Sequence, residues 1–134
     1  MRTKNIRQVV TFKAGPRSVY EALMDSKKHA KFTGGRASIS PRVGGRISAY
    51  DGYIDGINIE LVRDRKIVQA WRGSDWPEGY FSKAIFTLSK IKSGTRLTFS
   101  QTGVPEEQVE AIREGWIEHY WEKMKKFLES STRS

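Results

Sequence analysis

The sequence predicts an α+β fold in which a curved antiparallel sheet wraps around one long C-terminal helix. Most of the chain consists of short β-rich runs separated by tight-turn residues, and strands joined in this way pair as antiparallel neighbours. Residues 105–129 instead carry apolar and aromatic side chains at steps of three and four, which is typical of a helix with one buried face. The sequence shows no alternation of strands and helices of the kind that builds a parallel sheet.

The N-terminal elements are predicted to be one strand and two short helices. Residues 5–13 are rich in β-branched side chains and favour a strand. Pro16 suits the first position of a helix, and the apolar residues after it share one side. Ser26 suits the cap of a second short helix, which runs through Lys31 and ends near Gly34.

Six further strands are predicted before the long helix, and turn residues separate them. They occupy residues 36–40, 46–50, 53–62, 66–72, 80–90 and 95–102. Asp51-Gly52 is a strong signal for a type I′ hairpin turn. Pro105 suits the first turn of the long helix, and Glu106 and Glu107 favour the positive end of its dipole.

Length and composition predict one domain across residues 1–134, with a polar tail at 130–134 that we expect to be disordered. Cysteine is absent, which excludes disulfides, thiolate catalysis and cysteine zinc sites. We expect a cytoplasmic protein, because the sequence contains neither a signal-peptide core nor an apolar run long enough to span a membrane.

The net charge of +9 is concentrated at one end of the chain. Residues 1–50 hold 11 basic side chains against two acidic ones, and the later residues are balanced. Such polarity can steer an acidic partner from a distance, or it can simply keep the surface soluble. Nucleic-acid binding is not favoured, because no recognition motif accompanies the charge.

Several segments carry a resemblance to a known family. They are Val-Gly-Gly-Arg at residues 43–46, Asp-Gly at 51–52, Ile-Val at 67–68, Trp-Arg at 71–72, Trp-Pro-Glu-Gly-Tyr-Phe at 76–81, Thr-Gly-Val-Pro at 102–105 and Glu-Gly-Trp at 114–116. Across nearly its whole length the chain resembles the START-like, or birch-pollen-allergen-like, helix-grip superfamily. Within it, the chain is similar to the C-terminal domain of the activators of the heat-shock protein 90 ATPase and their stand-alone prokaryotic relatives.

Two departures from this family stand out. The full co-chaperone has an additional N-terminal domain, which we do not expect in a chain of 134 residues. Many members also carry a tryptophan near the end of the second short helix, where this chain has Lys31-Phe32-Thr33. The first departure bears on chaperone activation, and the second on the mouth of the cavity.

The resemblance implies a cavity between the sheet and the helices, which is the default ligand site of such a fold. The expected lining is Asn58, Gln69, Trp71, Phe86, Phe99, Trp116, Tyr120, Trp121 and Met124. Each apolar member also fits plain core packing, which is the commoner role of such residues. The two amides fit either a polar group of a ligand or solvent on an open part of the sheet, and solvent is favoured.

A second set of residues is predicted to bind a partner protein. Its members are Arg36, Arg42, Arg46, Arg72, Trp76 and Glu78. An aromatic side chain beside arginine is the composition of a binding hot spot, but Trp76 could equally plug one end of the core.

We predict no catalytic residue, metal site or cofactor. The two histidines, His29 and His119, are isolated, and no Gly-x-Ser-x-Gly motif supplies a nucleophile. Glu114, Glu118 and Glu122 follow an i, i+4 row that is typical of a solvated helix face.

The leading hypothesis is therefore a non-enzymatic binding domain whose cavity holds an apolar or amphipathic small molecule. The first alternative is a co-chaperone that binds and stimulates a heat-shock protein 90 ATPase. The second is an enzyme of the hydrolase or cyclase type, for which the sequence shows no acid–base pair.

Overall fold

The computed structural model describes residues 2–132, with side chains through Glu129. The strands are β1 (Thr3–Phe12), β2 (Ser38–Ile39), β3 (Arg46–Ala49), β4 (Ile54–Val62), β5 (Lys66–Gly73), β6 (Ser82–Ile91) and β7 (Gly94–Pro105). Two short helices, α1 (Pro16–Met24) and α2 (Ser26–Thr33), follow β1. The C-terminal helix consists of α3 (Val109–Trp116), a π-helical segment (Ile117–Trp121) and α4 (Glu122–Thr132).

All seven strands form one antiparallel sheet in the order β1-β7-β6-β5-β4-β3-β2. Consecutive strands from β2 to β7 are neighbours, and β1 closes the order by pairing with β7. The C-terminal helix and the two short helices cover the concave face. The predicted fold class, a helix-grip α+β domain, is confirmed.

The core lies between the concave face of the sheet and the helices. Phe12, Leu97 and Phe99 contribute from the sheet, Val19 from α1 and Met124 from α4, and all five are fully buried. Burial of each such side chain stabilises the fold by about 1.5–3 kcal/mol. A single apolar cluster joins every layer of the fold.

The turn between β3 and β4 follows the predicted hairpin chemistry. Asp51 and Gly52 have φ values of 56° and 94°. Tyr50, at φ 50°, also occupies the left-handed region, which is uncommon for a bulky residue. The amide of Tyr53 donates to the carbonyl of Tyr50 at 3.1 Å, which closes the turn around Asp51-Gly52. The turn therefore holds Tyr50 in a strained backbone conformation within hydrogen-bonding distance of the C-terminal helix.

Two predicted helix boundaries were wrong. Asp25, not Ser26, caps α2, since its carboxylate accepts the backbone amide of Lys28 at 2.9 Å. The Ser26 hydroxyl instead accepts the amide of Ile39 at 2.8 Å and ties the helix to β2.

Pro105 is the last residue of β7, and a 3₁₀ turn over Glu106–Gln108 precedes α3. The helix ends at Thr132, inside the tail predicted for 130–134, and residues 133–134 lie outside the described residues.

The π-helical segment was not predicted. Its backbone carbonyl at His119 accepts the hydroxyl of Tyr50 at 2.6 Å. A side chain that inserts into the helix ladder is a known cause of helix distortion, and single π turns occur frequently at functional sites.

Candidate functional site

A pocket of about 440 Å³ lies at the edge of the fold, between the β3–β4 turn and the junction of α3 with the π-helical segment. We call it the edge pocket. Its lining consists of Tyr50, Tyr53, Ile54, Trp71, Ala111, Ile112, Glu114, Gly115, Trp116, Glu118, His119 and Tyr120. The size and the aromatic lining are those of a small-molecule site.

The interior of the domain is nearly filled. The space enclosed between sheet and helices is about 20 Å³, which is close to the volume of one water molecule. Three rings separate it from the edge pocket and line both: Trp71, Trp116 and Tyr120. We call these three rings the aromatic wall. The internal cavity that the resemblance implies is therefore reduced here to a water-sized space.

His29 connects α2 to the aromatic wall. Its Nε2 shares a hydrogen bond of 2.8 Å with the Tyr120 hydroxyl, and its Nδ1 is buried with no hydrogen-bond partner among residues 2–132. Burial lowers the pKa of His29 to about 4 and raises that of Tyr120 well above its usual value. Both groups are therefore held neutral near pH 7.

The other two tyrosines of the edge pocket, Tyr50 and Tyr53, line its mouth. The Tyr53 hydroxyl donates to the Asp75 carboxylate at 2.9 Å, and the Tyr50 hydroxyl holds the π-helical segment. Partial burial raises the pKa of each to about 12, and the Asp75 carboxylate adds to the effect at Tyr53. Both hydroxyls therefore act as fixed hydrogen-bond donors.

Gly115 leaves room for the edge pocket. A Cβ built on it would meet only His119 Cδ2, at 4.0 Å, which is an ordinary contact. Neither a positive φ nor backbone packing demands glycine here, yet glycine inside a helix costs about 1 kcal/mol relative to alanine. The space that this residue keeps open belongs to the edge pocket.

The structure divides eight of the predicted cavity residues into three groups. The three residues of the aromatic wall line the edge pocket, and Gln69 and Phe86 line the water-sized space. Phe99, Trp121 and Met124 line neither and pack in the core.

The expectation that the two amides face solvent was wrong. Asn58 is 1% exposed and Gln69 is 6% exposed. The Asn58 amide donates to the carbonyls of Ser40 and Arg42 at 2.7 and 3.0 Å, and its oxygen accepts from Gln69 at 3.1 Å. Asn58 therefore anchors the β2–β3 loop, which folds over the strand and excludes water.

The predicted partner-binding residues differ in their exposure. The side chains of Arg36 and Arg46 are 95% and 82% exposed, near Asp51 and Asp55, and Arg42 and Glu78 are also exposed. Trp76 is 4% exposed and packs against Trp71 with ring centroids 5.4 Å apart.

A hydrogen bond from Arg72 fixes the loop that contains Trp76. Arg72 donates to the carbonyl of Trp76 at 2.8 Å, so this pair braces the loop. Trp76 could have been an exposed binding residue or a residue that fills one end of the core. The structure shows the second, because Trp76 is buried in the core cluster.

No direct signal in the sequence marks His29, Tyr50, Tyr53 or Gly115 as site residues. The Asp-Gly turn and the Glu-Gly-Trp segment mark two of these positions, but only the fold brings them together. Within residues 2–132 no group of three or more His, Asp or Glu side chains is placed to hold a metal ion. In the same range, none of the helices is long and apolar enough to cross a membrane.

Comparison with known proteins identifies the family. Residues 13–129 match the family described as Activator of Hsp90 ATPase homolog 1-like protein. The human activator of 90 kDa heat shock protein ATPase homolog 1 is 30% identical over 86% of the chain, and the Dictyostelium discoideum homolog is 32% identical over 92%. The chain spans only 34% and 32% of these two relatives.

Solved structures share the fold. An HSP90 activator from Plasmodium falciparum superposes with a TM-score of 0.86 at 22% identity, covering 92% of this chain and 95% of that one. The Aha1 dimer from Colwellia psychrerythraea gives 0.81 at 21% identity, with 93% and 96% covered. Because the family match spans most of the sheet and the C-terminal helix, the resemblance is confirmed, and the chain belongs to the Activator of Hsp90 ATPase homolog 1-like family.

Proposed function

We propose that this domain is a non-enzymatic binding module whose edge pocket holds an apolar or amphipathic small molecule. The observation that carries the proposal is the contrast between two spaces. The edge pocket measures about 440 Å³ and is lined largely by aromatic side chains, whereas the interior space measures about 20 Å³. The ligand site is therefore at the mouth of the helix grip and not in its centre.

The protonation states of the two best acid–base candidates, His29 and Tyr120, favour binding over catalysis. His29 and Tyr120 are hydrogen-bonded, but burial stabilises the neutral form of both. His29 also lies behind the aromatic wall and does not line the edge pocket. A general base needs to reach its substrate and to ionise near the working pH.

A ligand screen with a matched pair of variants tests this proposal. Ala111 is exposed on the edge-pocket side of α3, so Ala111→Phe places a ring in the pocket without disturbing the core. Lys125→Phe introduces the same ring at an exposed position of α4 outside the pocket. Ligands found by thermal shift among lipids and aromatic metabolites should lose affinity in the first variant only. Equal affinity in both variants would contradict the proposal.

Chaperone binding is a second candidate, favoured by the family and by an exposed basic surface. Arg36, Arg42 and Arg46 are exposed on and around β2 and β3, within the basic first fifty residues. Such a surface would attract an acidic region of a heat-shock protein 90, and salt would weaken the attraction. Chaperone binding of this kind would fit the expected cytoplasmic location.

The chaperone test is binding and ATPase stimulation with the cognate heat-shock protein 90 at two salt concentrations. The variant is Arg36→Glu with Arg42→Glu, and its control is Lys90→Glu, at an exposed position of β6. We expect the double variant to bind more weakly and the control to match the parent. Binding that ignores both salt and the charge reversal would contradict this role for the basic surface.

A further inference from the structure

We propose that the edge pocket selects an amphipathic organic cation, with a tertiary or quaternary ammonium group attached to an apolar body. This inference rests on the proposed function, namely that the pocket binds a small molecule, and it adds the charge of that molecule. Three independent features of the pocket carry it: the arrangement of its rings, its acidic rim and its preserved volume.

The rings of the edge pocket face several directions. Tyr50 lies at 69° to His119 and at 66° to Tyr120, with ring centroids 5.6 and 5.8 Å apart. Trp116 lies at 43° to Tyr120, with centroids 4.6 Å apart. Because these rings line one pocket at different angles, a cation in that pocket would lie close to more than one π system. Contact of a quaternary ammonium group with several aromatic rings is the basis of aromatic cages.

The rim of the edge pocket is acidic. Glu114 and Glu118 lie about one turn apart, both are exposed, and neither forms an ion pair with another residue in the described part of the chain. No lysine or arginine within residues 2–132 lines this pocket. In a chain with a net charge of +9, an unpaired acidic rim is a local reversal of sign. It attracts a cation and repels an anion.

The volume of the pocket is maintained at a cost to stability. Gly115 makes its helix less stable than alanine would, although the methyl group of alanine would fit there without a clash. Tyr50 holds a left-handed backbone conformation, and residues in such sparsely populated conformations cluster at ligand sites. The space behind the aromatic wall is nearly filled, so the room beside Gly115 adds to the edge pocket and not to the interior.

A neutral ligand would make contacts with the rings of the edge pocket but would leave the negative charges of its acidic rim unbalanced. The two glutamates carry like charges on neighbouring turns, and such pairs repel one another. A positive group seated between them and the rings relieves this repulsion and keeps its apolar body in the pocket. An amphipathic cation is therefore the ligand class that uses all of the lining.

The test uses two probes that differ only in charge. They are para-hydroxyphenyltrimethylammonium and para-tert-butylphenol, in which a carbon replaces the quaternary nitrogen. Each is titrated into the isotopically labelled protein, and NMR shift changes at Ala111 and Gly115 report on the edge pocket. The variant is Glu114→Gln with Glu118→Gln, and the control is Glu122→Gln, an exposed glutamate farther along the same helix that does not line the pocket.

We expect the cation to bind roughly tenfold more tightly than its carbon isostere. The double variant should lose about fivefold of the cation's affinity and leave the isostere unchanged, and the control should match the parent. Equal affinities for both probes, or a double variant that changes neither, would overturn the charge preference and leave the proposed function standing. If neither probe shifts the pocket resonances, the charge preference and the proposed function both fail.

Discussion

The buried imidazole of His29 makes the stability of the domain depend on pH. Its ring is 3% exposed, and burial lowers its pKa from 6.5 to about 4. Between these two values the unfolded chain binds a proton that the folded chain does not. The free energy of unfolding is therefore full above pH 6.5 and falls as the pH drops toward 4. At about 1.4 kcal/mol per pH unit, the loss approaches 3 kcal/mol.

Urea unfolding of the parent and of His29→Gln, measured from neutral pH down to about pH 4, isolates this contribution. Glutamine does not titrate, and its amide offers a donor and an acceptor in place of the two ring nitrogens. Carboxylates such as Glu21, whose pKa is lowered by its hydrogen bond to Lys28, titrate in both proteins and cancel in the difference. His119→Gln, at the exposed histidine, is the control and should follow the parent. The reasoning is refuted if the parent and His29→Gln lose stability in parallel across this range.

Three substitutions test the roles assigned to Gly115, Asn58 and Tyr50. All three are expected to change the free energy of unfolding, and the first also ligand binding. Gly115→Ala should raise the free energy of unfolding by about 0.5–1 kcal/mol and weaken ligand binding, as urea unfolding and NMR titration would show. A drop in stability would mean that the pocket is not the reason for glycine. Asn58→Leu should cost about 1–3 kcal/mol, because the loop carbonyls of Ser40 and Arg42 lose their donor. Tyr50→Phe should cost about 1 kcal/mol by removing the hydroxyl that holds the π-helical segment; unchanged unfolding in either of these two variants would contradict its assigned role.

The fold could be predicted because its determinants are local. The Asp51-Gly52 turn specifies its hairpin from backbone preferences alone, and the apolar period of the last helix specifies a buried face. The helix start was misplaced because Pro105 is compatible with both the end of a strand and the first turn of a helix. The π-helical segment could not be predicted, since it accepts a hydrogen bond from Tyr50, a residue 69 positions away.

The site could be predicted only in part for the same reason. The aromatic wall was identified from helix and strand periodicity, which a sequence displays directly. The burial of Asn58 was missed because alternation along β4 does not reveal that residues 40 and 42 fold back over it. His29 is isolated in the sequence, and its partner Tyr120 lies 91 positions along the chain. In each case the missing information is a contact between distant segments.

The position of the pocket at the edge follows from how the interior rings are fixed. The indole nitrogen of Trp116 donates to Gln101 at 2.8 Å, and that of Trp121 donates to Gln8 at 2.7 Å. Opening a cavity between helix and sheet would move these rings and leave buried donors and acceptors unpaired, at about 1–3 kcal/mol each. It would also separate Phe99 from Trp116, whose ring centroids are 4.4 Å apart. The turn at Tyr50 and the π-helical segment meet beyond these fixed rings, so volume for a ligand can exist there without breaking the core.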